Sequence, residues 1–245
     1  MDLSERTRAD PTRHPWETAR AAFLLDVLSD ADVLGSGGTI LDVGAGDAWF
    51  ASQLLLRSRC EITCWDLHYS DDDCERLRQP RLHPVCAAPR GPFDVALMLD
   101  VIEHVDDDDA FVADVVSRTR RGGRVLVSVP AWPLLFSAHD HALQHRRRYT
   151  PRSCRALLQH AGLRIDRSGG FFHGLIAARA AAVIVEKIWT PARAGVGGWN
   201  HGTFVTNALT TALRAEQGLS KAAADLGVDV PGLSFFALCT LPVPP

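Results

Sequence analysis

The sequence predicts an α/β fold in which a doubly wound, mostly parallel sheet of seven strands carries a helical insertion between its last two strands. Three observations lead there. Apolar runs of strand length alternate with stretches of helical periodicity, the pattern of βαβ units covered by helices on both faces. The first of these runs, TILDV, turns through GAGD into a helical stretch, a place where backbone can come close to a ligand. The 245 residues, 47% hydrophobic and 22% charged, have the composition of an ordinary globular chain with a generous core.

The elements follow in order. An apolar stripe (AAFLLDVL) marks a leading helix over 16–29, and GTILDV marks a strand at 38–43. A helix is expected at 47–57, then strands at 61–67 (EITCWDL), 82–86 and 93–99 (FDVALML). The DDDD run suits the positive end of a helix over 107–119, and GRVLVSV gives a strand at 123–129. In TPRSCRALLQHAG, Thr150 is an N-cap, Pro151 the first helical residue and Gly162 the stop, so a helix spans 151–161. Strands near 163–168 and 233–241 (LSFFALCTL) bracket two helical patterns, 174–189 and 203–217, joined by the loop-like PARAGVGGWNHG. The whole reads as one Rossmann-like domain over 1–245, with a cofactor-binding core about 30–130, an acceptor-side loop 131–150 and a helical insertion about 172–231.

Net charge and segment lengths exclude several functions. A formal charge of −3 gives no general attraction to nucleic acid or anionic membrane. GLIAARAAAVIVEKIW is broken by Arg179 and Glu186 and is too short for a span. MDLSERTRADPTRH lacks the apolar centre of a secretory signal, so a cytoplasmic protein is expected. Six cysteines (60, 64, 74, 86, 154, 239) form no C-x-x-C pair and read as buried free thiols.

In an open parallel sheet, ligands bind beyond the carboxyl ends of the strands at the switch point, which gathers Gly44–Asp47, Asp66–Leu67, Leu99–His104 and the segment after Pro130. The dinucleotide fingerprint fails there, because Trp49 stands where its third glycine belongs. Asp42 precedes the turn and Asp47 sits within it, at a helix start where a phosphate would be repelled. A cofactor that is cationic there, such as S-adenosylmethionine with its sulfonium and ammonium groups, suits the charge better than NAD, FAD or ATP. Asp66, 20 residues after Gly46, can accept hydrogen bonds from both hydroxyls of a ribose.

ILDVGAGDA, CWDL, FDVALMLDVIEHV and RGGRVLVSVP resemble, in this order, the motifs of class I S-adenosylmethionine-dependent methyltransferases over residues 38 to 130. HPWETAR, SAHDHALQHRRRYT and PGLSFFAL are similar to a bacterial subgroup acting on small molecules and carry the likeness along most of the chain. The resemblance implies that Asp42, Gly44, Ala45, Gly46, Asp66, Leu67, Leu99 and Asp100 surround the cofactor. It also implies that Trp16 and Arg20 close over it, with Arg20 facing its carboxylate. Ala48 replaces the usual third glycine, and VCAAP lacks the usual acid at the adenine, leaving backbone or Cys86 for that contact.

Methyl transfer is an in-line displacement that mainly requires alignment, and a base helps only if the acceptor loses a proton. His139, Asp140 and His104 are the candidate catalytic groups, and His145, Arg147 and Tyr149 the candidate acceptor contacts. Since Asp140 cannot easily reach its neighbour's ring, Glu103 is the alternative carboxylate to orient His139. The arginines 146–148 either hold an anionic acceptor or pair with the acids 106–109. Asp100, Glu103 and His104 share a helical face in the spacing of a metal site, but no metal is expected. The expected activity is methyl transfer from S-adenosylmethionine, yielding S-adenosylhomocysteine, to oxygen or nitrogen of a small molecule. Neither a nucleic-acid partner nor a membrane span is expected. The rivals are a non-catalytic cofactor-binding regulator and a methyltransferase acting on RNA or protein.

Overall fold

Side-chain alternation along the strands decides the layering of the molecule. In β1 (Thr39–Val43), Ile40 enters one apolar cluster while Leu41 and Val43 enter another on the opposite face. β5 (Thr119–Pro130) repeats this with Leu126 against Val125, Val127 and Val129. Both faces of the sheet are therefore apolar and both need helices, which is why the strand runs are so uniformly hydrophobic. The computed structural model describes residues 13–35, 37–188 and 203–244.

The remaining strands are β2 (Glu61–Trp65), β3 (Leu82–Val85), β4 (Phe93–Leu99), β6 (Arg164–Phe171) and β7 (Ser234–Thr240). Their order is β3-β2-β1-β4-β5-β7-β6. β7 runs antiparallel to both β5 and β6, and the other neighbours are parallel. This is the seven-stranded, mostly parallel Rossmann-like sheet that the alternation of elements predicts; the antiparallel insertion of β7 between β5 and β6 carries no signal in that alternation. The order reverses between β1 and β4, so a crevice opens beyond their carboxyl ends.

One face is covered by α1 (Pro15–Asp30), α2 (Trp49–Leu55) and α8 (Thr203–Asp225), which share a cluster with Phe171 and Phe236. Gln217 on α8 donates to the carbonyl of Ala19 on α1 at 2.9 Å, tying the insertion to the leading helix. The opposite face is covered by α4 (Asp108–Ser117) and α6 (Pro151–His160), through Val112, Val115, Cys154 and Leu158. Thr150 caps α6 with Pro151 in its first turn, and Gly162 follows its end at φ +84°, as the sequence signals require.

Two helices escape the periodicity. α3 (Asp71–Leu77) follows β2 and is made by a reciprocal capping box between Ser70 and Asp73 rather than by an apolar stripe. α5 (Ala138–Ala142) forms inside the expected loop by the same device, with Ser137 and Asp140. α2 starts later than expected because Ala48 adopts the left-handed conformation, φ +56°. α4 ends at Ser117 because β5 begins already at Thr119. α7 (Leu175–Ile188) completes the list, while the PARAGVGGWN segment lies outside the described residues. No described helix is long and apolar enough to cross a membrane.

Candidate active site

A cavity of about 590 Å³ opens beyond the carboxyl ends of β1, β2, β4 and β5. Its floor at one end is the turn after β1. Gly44 has φ +65°, and a Cβ there would stand 2.6 Å from Val101, so the turn needs glycine for both reasons. The Gly44 amide donates to the carbonyl of Trp65 at 2.7 Å, binding the turn to the end of β2. Asp66 then accepts from the amides of Gly46, at 3.0 Å, and His68, at 2.9 Å, one on each carboxylate oxygen. Those bonds fix its plane, and it remains on the cavity wall with further acceptor capacity.

Trp16 and Arg20 reach the same wall from α1, and Leu67, Leu99 and Asp100 complete it. Arg20 pairs with Asp100, whose backbone is left-handed at φ +55° and whose Oδ1 accepts from Ser128 at 3.0 Å. Arg20 also lies over the Trp16 ring, 5.1 Å from its centroid. Three other expected cofactor contacts sit behind the wall. Asp42 is buried, and burial first and the charge of Asp66 second push its carboxyl up to about 7. Ala45 turns its methyl into the core, and the Gly46 amide is occupied by Asp66. Asp47 caps the amide of Trp49 at 3.2 Å and pairs with Arg13, so much of the negative charge expected in the turn is neutralised by the chain itself.

At the other end, Glu103, His104, His139, His145, Arg146 and Arg148 line the cavity. Asp140 does not. It is 0% exposed and is the hub of the segment. It accepts from the Ser137 amide at 3.0 Å, His145 Nδ1 at 2.9 Å, Arg148 Nε at 2.7 Å and Arg179 at 2.7 Å. Burial alone would raise its carboxyl, but the bonds from His145 and Arg148 and the charges of Arg148 and Arg179 hold it well below the usual range. The histidine oriented by this carboxylate is His145, not His139. The expected Glu103–His139 link is absent too: among the described residues neither Glu103 oxygen has a hydrogen-bond partner. Glu103 is also 0% exposed, and burial pushes it up to about 8 despite Arg20 and Arg148 nearby. Burial and the charge of Arg179 lower the His139 imidazole below its ordinary value.

Arg147 and Tyr149 are not on the wall. Arg147 pairs with Asp108 at 2.8 Å and donates to the carbonyls of Val105 and Asp106. The Tyr149 hydroxyl donates to Asp108 at 2.6 Å. Arg146 pairs with Asp106 at 2.7 Å, so two of the three arginines answer the acids beside them. Glu103, His104 and His145 each offer an atom within 4.8 Å of the others, a spacing that could hold a cation. Arg148 is the arginine of the 146–148 run that lines the cavity without an acid of the 106–109 run as its partner. Arg179 and Glu17 also line it; the sequence does not assign either to the site, and Arg179 shows only as a charge interrupting an apolar helix.

A family profile for the methyltransferase domain matches residues 16–168. A curated protein of Mycolicibacterium smegmatis named "Probable S-adenosylmethionine-dependent methyltransferase" is 30% identical over 149 residues, 57% of this chain and 57% of its own length. The ubiquinone biosynthesis O-methyltransferase of Xylella fastidiosa is 26% identical over 159 residues, 55% of this chain and 64% of its own. The matches thus span about three fifths of those relatives. Phosphoethanolamine N-methyltransferase 2 of Haemonchus contortus, solved with S-adenosyl-L-methionine, superposes with a TM-score of 0.55 at 16% identity, covering 93% of this chain and 53% of that one.

Proposed function

Because the chain belongs to the methyltransferase domain family and has the class I fold, we propose that it methylates an oxygen or nitrogen of a small molecule seated between residues 137–150 and α7. The observation that carries this reading is one continuous cavity, with Asp66 at one end and Glu103, His139 and His145 at the other. Its volume, about 590 Å³, is in the range of small-molecule sites. When bound, S-adenosylmethionine supplies an electrophilic methyl group. The donor set fits that cofactor: Asp66 would hold the ribose hydroxyls, Arg20 would face the carboxylate, and Trp16, Leu67 and Leu99 would exclude water.

Phe111, Leu143, Phe172 and Leu175 give the acceptor end an apolar wall, suited to an acceptor with an apolar body. The name of the Xylella relative favours oxygen over nitrogen as the atom methylated. His145 takes the acceptor's proton on Nε2, since Asp140 occupies its Nδ1, and the imidazolium that forms stays beside that carboxylate. His139, kept neutral, and Glu103 position the acceptor. Arg20 and Arg148 already bring positive charge to Glu103, so no metal is given a role. The insertion acts as the acceptor-side lid of a single domain, supported by the Arg179–Asp140 contact.

Calorimetry tests the cofactor half: S-adenosylhomocysteine should bind and NAD should not. Asp66→Ala should weaken that binding by about 1.5–3 kcal/mol, the scale of hydrogen bonds to a charged group. NAD binding at comparable concentration, or unchanged affinity in the variant, would overturn the assignment. Tight cofactor binding without turnover of any labelled methyl group would make the protein a regulator instead.

A further inference from the structure

The chain carries six cysteines, and the structure separates one pair from the rest. Cys60, Cys64, Cys154 and Cys239 are buried, whereas Cys86 is exposed. Cys86 directly follows β3, and Cys74 lies on α3, facing it. Their Sγ atoms are 2.7 Å apart, well inside ordinary van der Waals contact and within a small movement of the bonded length, about 2.05 Å. Cys74 is 8% exposed, so Cys86 is the sulfur that solvent reaches more readily. Asp71 is also close, with its Oδ1 3.6 Å from the Cys86 sulfur.

We infer that Cys86 and Cys74 are a thiol modification site that closes to an intramolecular disulfide when the protein meets a hydroperoxide. Cys86, the reachable sulfur, attacks one peroxide oxygen. The O–O bond breaks, hydroxide leaves and is protonated to water, and Cys86 becomes a sulfenic acid. Cys74 then attacks the Cys86 sulfur, the S–O bond breaks, and a second hydroxide takes up a proton and leaves as water. The two sulfurs lose two electrons in total and the peroxide gains them, so the step balances with no other reactant. A thiol reductant reverses it by exchange.

Near neutral pH the pair stays in the thiol form, so the attacking thiolate is scarce and the oxidation quickens as pH rises. Contact with Cys74, loss of water and the charge of Asp71 together push the Cys86 thiol up to about 12. Its position gives the bridge a structural consequence. α3 begins just after the Leu67–His68 turn that forms part of the cavity wall, and the bridge would fasten that helix to the end of β3.

The test is intact mass and peptide mapping of the full chain after hydrogen peroxide, with residual thiols alkylated under native and then denaturing conditions. The expected result is a loss of two hydrogens, a single linked peptide joining Cys74 to Cys86, full reversal by dithiothreitol, and four cysteines still alkylatable on unfolding. Oxidised wild type should also melt at a higher temperature than reduced wild type. Cys86→Ser, a change at an exposed position, should abolish both the mass loss and the melting shift. Oxidation of Cys86 to a sulfinic acid, a disulfide between two chains, or no mass change would each overturn the proposal.

Discussion

At Glu103 and Asp140 one fold treats two fully buried carboxyls in opposite ways. Asp140 receives five donors and stays ionised, while no side chain among the described residues donates to Glu103, which is pushed up to about 8. A carboxyl whose folded pKa lies above its unfolded value of about 4.3 favours folding most when protonated, so its contribution is lost as pH rises through about 8. Glu103→Gln keeps the shape and cannot ionise. Chemical denaturation should therefore show the variant gaining roughly 2–5 kcal/mol on wild type between pH 5 and pH 8.5. Parallel stability curves would mean that Glu103 meets a donor in solution. The base has its own test. His145→Ala should lower kcat by about 10²–10⁴-fold with S-adenosylhomocysteine affinity unchanged, and His139→Ala should cost less. If the order is reversed, His139 is the base, and its lowered pKa would place the rising limb of the kcat–pH profile below about 6.5. The sequence marks Asp66, Arg20, Leu99 and His104 as site candidates because each stands in a short local motif at a strand end or on the leading helix. It could not show that Asp140 serves His145, since the arginines that surround it come from 8 and 39 residues away.

Among the elements, the strands and α1, α4, α7 and α8 declare themselves by apolar period, and α6 by Thr150, Pro151 and Gly162 at its ends. α3 and α5 show neither signal, because they depend on Ser–Asp reciprocal bonds over too few residues to show a stripe. α5 matters most, because it carries His139 and Asp140 and is the element on which α7 rests. Arg179 on α7 donates to Ser137 Oγ and to Asp140, both at 2.7 Å, and Glu186 accepts from the Ala138 amide at 2.7 Å. α7 otherwise presents Ile184, Val185 and Ile188 to the surface, so polar contacts do much of the docking. Removing the guanidinium leaves Asp140 with His145 and Arg148, which should keep α5 formed while loosening α7. Arg179→Ala is therefore expected to raise the acceptor KM and speed proteolysis within α7, with global stability lowered by about 1–3 kcal/mol and cofactor affinity unchanged. Equal protease resistance in both proteins would show that apolar packing, not Arg179, holds the lid.

On the scale of the whole molecule, the sheet has two open edges along its strand ends, and only one suits a cofactor. The carboxyl edge holds the large cavity at the reversal between β1 and β4. The amino edge holds a second cavity of about 160 Å³, lined by Gly38, Thr39, Asp94 and Arg120 among others. There Asp94 accepts from the Thr39 amide at 2.8 Å and pairs with Arg120, and Arg124 pairs with Asp166, so these charges are already answered within the fold. Both apolar layers run between the two edges, and a ligand that binds only the folded state stabilises the whole by mass action, by about 2.7 kcal/mol at a hundredfold excess over Kd. Global stabilisation therefore cannot locate the site; local opening can. Hydrogen exchange with S-adenosylhomocysteine should slow the amides of the turn after β1, the Asp66–His68 turn and the start of α1 beyond the global change. The segments 37–39 and 119–124 at the amino edge should show the global change alone, as should α7 until an acceptor is added. Protection at the amino edge would move the cofactor to the wrong end of the sheet. Protection of α7 by S-adenosylhomocysteine alone would mean that the lid closes on the cofactor rather than on the acceptor.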